Sequence, residues 1–175
     1  RQDRGARVAG GLGGDQGTAG PPSQPSAVSR PAFLSPLDLR LYGKRRWITL
    51  ASFQYQSAHY PKPIVVPAEF VTDLASVPRA PFAYLLTAER APAPAVIHDW
   101  LYQSPGWTDR GRADRIFLEA AGVEQPEFGI EAEHAGIRHL MYAGLWIGGW
   151  KAWRDDKRRA ALNPIWTREG WPEAP

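Results

Sequence analysis

Leu37, Leu39 and Leu41 alternate with Asp38, Arg40 and Tyr42, the period of a strand with one buried face. After the polar turn Gly43-Lys44-Arg45-Arg46 the alternation resumes through Trp47, Thr49, Ala51, Phe53 and Tyr55 and predicts a second strand. Pro63-Ile64-Val65-Val66-Pro67 with Glu69-Phe70-Val71-Thr72 predicts a third, irregular one. Its prolines cannot donate to a ladder, which places it at an edge or a bulge.

The pattern changes after Asp73. Pro78 and Pro81 punctuate a loop, and Pro92 and Pro94 pre-set the start of a helix running from about Pro94 to Gln103. Ser104-Pro105-Gly106-Trp107 reads as a turn, and Thr108 or Asp109 is a good N-cap for a second helix, Ala113 to Ala121, which stops at Gly122. A third helix is predicted from Glu131 to about Leu162. Strands first and helices afterwards is the order of an α+β fold, here a small N-terminal antiparallel sheet, hairpin or meander, with three helices packed on it.

Composition divides the chain further. Residues 1–31 hold seven Gly, four Pro and no aromatic residue, too little apolar surface to offset the entropy of ordering, so they read as a flexible leader. Residues 32–162 form one domain and 163–175 an extended tail. At 175 residues the chain can bury one core and not two. The lack of cysteine excludes a disulfide scaffold, a thiolate zinc site and a cysteine nucleophile. The net charge is +3, and the leader's four Arg and two Asp account for +2 of it. A near-neutral body lacks the concentrated basic face of a dedicated nucleic-acid binder. No apolar run of about 18 residues exists, so no segment reads as a membrane span.

Candidate chemistry sits on the first two helices. His98 and Tyr102 are four apart and share a face, while Asp99 is rotated from His98 by about 100°. On the second helix Asp114 is followed by Phe117, Leu118 and Ala121 at the spacing of one face, so its carboxylate lies on the apolar stripe, away from Arg112 and Arg115. An inward carboxylate must find a partner, and His98 or Tyr102 is the nearest candidate across a short connection. A His held by a buried carboxylate, beside a second carboxylate, can serve as general base next to a metal. The same cluster can equally be a hydrogen-bonded network that fixes helix packing.

Three ordered segments carry a resemblance: Val66 to Arg79 (VPAEFVTDLASVPR), Val96 to Tyr102 (VIHDWLY) and Arg112 to Ala120 (RADRIFLEA). They resemble the motifs of a phage and prophage family of unknown function, DUF1353, over roughly Leu37 to Trp150. This resemblance implies a bacteriophage or prophage origin and a location in the bacterial host cytoplasm or the phage particle. It implies no reaction.

The His-Asp-x-x-Tyr helix followed by a helix with an inward Asp is also similar to the core of phospholipases A2. That resemblance makes His98 the base that activates water, Asp99 a calcium ligand, and Asp114 with Tyr102 the pair that orients His98. The family's glycine-rich calcium loop has no counterpart, since Arg79 to Pro94 contains no glycine. Asp73 and the loop around Ser76 are the oxygen donors available in its place.

On the third helix, Ile137, Leu140, Met141, Gly144 and Gly148 line a face expected in the core, while His139, Tyr142, Trp146, Trp150 and Trp153 line another. The aromatic face suits the sheet, a lipid surface or another subunit. Lys151, Arg154, Lys157, Arg158 and Arg159 against Asp155 and Asp156 leave a local +3, normally a solvated helix end and open to weak attraction by an anionic membrane. Two functions follow. One is a metal-assisted ester hydrolase with calcium as cofactor; the other is a phage virion or accessory protein, partnered by other phage proteins, in which the cluster only packs.

Overall fold

The structure is a computed structural model that describes residues 30–44, 46–74, 91–104 and 107–162, the last seven by backbone alone. Nearly all of the expected leader, the whole tail and the loop around Ser76 lie outside these residues.

The alternating stretches form strands, and they divide between two antiparallel sheets where a single sheet was expected. One takes β1 (Ala32–Phe33), β4 (Phe53–Gln56) and β5 (Ile64–Val66) in the order β1-β4-β5. The other takes β2 (Leu39–Leu41), β3 (Trp47–Thr49) and β6 (Val71–Thr72) in the order β2-β3-β6. The expected strand from Trp47 to Tyr55 is therefore broken after Thr49, and the third expected strand is broken between Val66 and Val71.

Thr49 shows why both breaks hold. It is buried, its hydroxyl donates to Pro67 O at 2.7 Å and accepts from Phe70 N at 2.9 Å, and its backbone exchanges bonds with Glu69 and Phe70. The backbone groups freed where the chain changes sheets, with Glu69 at φ 66, are thus satisfied by the side chain and backbone of one residue. The β1 strand was not expected. Its free edge is closed by Gln125, whose amide accepts from Phe33 N and donates to Phe33 O at 2.8 Å, as a neighbouring strand would.

Among the described residues three α-helices follow: α1 (Pro92–Gln103), α2 (Arg110–Ala120) and α3 (Ala135–Leu162). Asp109 caps α2, its Oδ1 accepting from Arg112 N at 2.9 Å. The third helix begins four residues later than expected. A 3-10 turn at Pro126–Phe128 closes on Gly129 at φ 67, and Glu133 N then bonds Ala121 O at 2.8 Å at the end of α2, which holds Glu131–Glu133 out of the helix.

The core has α1 at its centre. Ten consecutive residues, Ala93 to Tyr102, are buried, and α2, α3, β5 and β6 all pack on this helix. Trp100 sits edge-on to Phe70 and Trp107, while Phe33 stacks on Phe53 beside Tyr55.

On α3 the buried positions are Met141, Leu145 and Gly149, with Ile137 half-buried. Leu140, expected in the core, is 57 % exposed. The core face follows residues four apart because Gly149, one position beyond the expected Gly148, is where the helix meets α1. Trp153 packs edge-on against Tyr102, but Trp146 and Trp150 are exposed, so the aromatic face is split. No helix among the described residues is long and apolar enough to cross a membrane.

Candidate active site

A helix buried on every side presents its polar side chains to other elements and must have each of them bonded. On α1 these are His98, Asp99 and Tyr102, and they leave the helix in two directions.

His98 and Tyr102 meet Asp114 of α2. His98 Nε2 lies 3.0 Å from Asp114 Oδ1, and the Tyr102 hydroxyl donates to the same oxygen at 2.6 Å. All three side chains are at most 2 % exposed. Because a carboxylate only accepts, the hydrogen bond places the proton of a neutral His98 ring on Nε2 and leaves the lone pair on Nδ1. Among the described residues Nδ1 has no hydrogen-bond partner. The ring is also held by its neighbours, with the Tyr102 ring centroid at 3.9 Å and Phe117 edge-on at 5.5 Å.

The second carboxylate oxygen, Oδ2, faces Arg110 Nε at 3.5 Å, one turn earlier on α2. Arg110 also donates to Trp146 O at 2.8 Å, so one side chain ties the acid to α3. The charge of Asp114 is thereby met by a guanidinium, a phenol and an imidazole, the pairing a buried acid requires.

Asp99 turns the other way. Its Oδ2 accepts from the Thr72 hydroxyl of β6, and that hydroxyl in turn accepts from Leu74 N at 3.1 Å. Asp73 follows Thr72 in the chain and is exposed. Calcium takes about six to eight oxygen ligands. Among the described residues no three His, Asp or Glu are placed to hold a metal ion, and Asp99 offers one carboxylate already engaged by Thr72. The described residues do not by themselves fit the calcium site that the phospholipase resemblance implies.

Residues 47–144 match the family described as Protein of unknown function (DUF1353). The chain belongs to this family. No curated protein and no solved structure matches it. The DUF1353 match runs from β3 into α3 and contains His98, Asp99, Tyr102, Asp114 and Asp73. Sequence reasoning missed two residues of this DUF1353 site. Arg110 was readable as the i−4 ion-pair partner of Asp114. Thr72 gave no such signal, because its partner is 27 residues away and on another type of element.

Proposed function

We propose that this DUF1353 protein, of bacteriophage or prophage derivation, is an ester hydrolase of phospholipase A2-like chemistry in which His98 is the general base. The observation that carries the reading is the sharing of Asp114 Oδ1 by His98 Nε2 and the Tyr102 hydroxyl. With Nε2–H committed to Asp114, Nδ1 is the nitrogen available to take a proton from water. The water oxygen then bonds to the ester carbonyl carbon. As the bond to the leaving alcohol breaks, the proton returns from Nδ1 to the departing oxygen, so ester and water become acid and alcohol. The imidazolium formed between these steps is stabilised by the Asp114 carboxylate, and Tyr102 and Arg110 hold that carboxylate in place. No step runs through a metal; Asp99 enters as the residue whose exchange tests metal dependence.

The test uses anionic phospholipid vesicles and short-chain esters, with calcium and then manganese or zinc. His98→Ala is expected to abolish hydrolysis with the fold intact, while loss of activity in Asp99→Asn, with a thermal midpoint that calcium raises in the wild type but not in Asp99→Asn, would bring a metal into the reaction. A second reading is favoured by the 2 % exposure of His98: a virion or accessory protein in which the cluster locks α1 to α2. Absence of turnover and of any metal-dependent shift would decide for that reading.

A further inference from the structure

Beside α2, an open cleft of about 350 Å³ is lined by His59, Arg115, Leu118, Glu119, Arg138 and His139. Its charges are unevenly satisfied. Glu119 is bound into the sheet, its Oε1 accepting from the Tyr55 hydroxyl at 2.8 Å and its Oε2 from Ala58 N at 3.2 Å. The two guanidiniums have no such anchors: among the described residues neither Arg115 nor Arg138 makes a side-chain hydrogen bond or an ion pair. Arg138 Nε is moreover buried, and a buried guanidinium nitrogen without an acceptor is costly.

The Arg138 head group packs against the end of α2. A Cβ on Gly122 would stand 1.6 Å from its Nη1 and 2.8 Å from its Cζ, so Nη1 points at the turn that ends α2 and occupies the space a side chain would need. His139, which also lines the cleft, has its Nδ1 2.6 Å from Ala135 O.

We infer that this cleft binds a phosphate group, clamped between the guanidiniums of Arg115 on α2 and Arg138 on α3. Guanidinium forks match phosphate oxygens in charge and geometry, and two of them approaching from different helices suit a tetrahedral anion that accepts from several directions. The phosphate arrives either on a small molecule or on a lipid headgroup. The inference goes beyond the hydrolase reading and does not depend on it, because His98, Tyr102 and Asp114 do not line the cleft.

Inorganic phosphate, and separately vesicles of phosphatidylcholine with and without phosphatidic acid, are titrated into the full chain while amide NMR signals of Leu118 to Gly122 and Arg138 are followed. Saturable shifts are expected with inorganic phosphate if the source is free, and with phosphatidic acid vesicles alone if it is a headgroup. Arg115→Gln and Arg138→Gln should each weaken binding about tenfold or more, the loss of a charge-assisted contact. Gly122→Ala keeps every charge but displaces the Arg138 head group, and should weaken binding with the thermal midpoint nearly unchanged. Saturable shifts with neither titrant, or binding undiminished in the Arg115→Gln, Arg138→Gln double variant, would overturn the inference.

Discussion

A Cβ on Gly149 would stand 2.7 Å from the hydroxyl oxygen of Tyr102, closer than any side-chain carbon is tolerated. The absence of a side chain at this position of α3 therefore lets the Tyr102 hydroxyl keep its 2.6 Å bond to Asp114. Gly149→Ala is expected to push Tyr102 off the carboxylate or α3 off α1, and to destabilise by roughly 1 to 3 kcal/mol, the usual cost of overpacking. Urea unfolding measures the loss, and an unchanged midpoint would show that α3 has room to move. If Tyr102 orients His98, the same variant lowers hydrolysis more than it lowers stability.

Asp114 is the shared acceptor of the network, so removing it strands two buried donors and Arg110. Asp114→Ala should cost about 2 to 5 kcal/mol. Tyr102→Phe removes one neutral donor to a charged acceptor and should cost about 1.5 to 3 kcal/mol. In the double variant the losses should not add, since Tyr102 has no carboxylate left to lose. Full additivity in equilibrium unfolding would mean that the two side chains do not act together.

Burial raises the pKa of Tyr55 well beyond the ordinary tyrosine value of about 10, and the Glu119 carboxylate that accepts its hydrogen bond raises it further. The folded protein therefore keeps this proton where the unfolded chain releases it. The stabilisation is fully present below about pH 10 and is lost as the pH climbs above it, by up to about 1.4 kcal/mol per pH unit. Stability measured from pH 9 to 11.5 should fall less steeply in Tyr55→Phe than in the wild type. Equal slopes would contradict the burial of an ionisable Tyr55.

The Asp109 cap supports α2 at the end that carries Arg110 and Asp114. Asp109→Ala should destabilise by about 0.5 to 2 kcal/mol and Asp109→Ser by much less, because Ser retains an oxygen for Arg112 N. Thermal unfolding of the two variants checks the difference. Equal losses would show that the negative charge at the helix start, rather than the hydrogen bond, is what matters.

Local chemistry made much of this protein legible in its sequence: Asp109 as a cap, the helix opened by its prolines, the order of strands before helices, and Asp114 on an apolar stripe that demanded a partner on α1. Each depends on residues within a few positions of one another, where backbone geometry and side-chain periodicity act directly. The tertiary structure decided what depends on distant pairs. Alternation through Trp47 to Tyr55 cannot reveal that the chain changes sheets after Thr49, because the groups that stabilise the change, Pro67 and Phe70, lie about twenty residues away. The period of α3 likewise pointed to Gly144 and Gly148, and only the position of Tyr102 selected Gly149 in their place. Asp99 had to be buried once α1 was surrounded, but that its partner is Thr72 follows from which strand passes beside the helix, a choice made by the packing of the whole core.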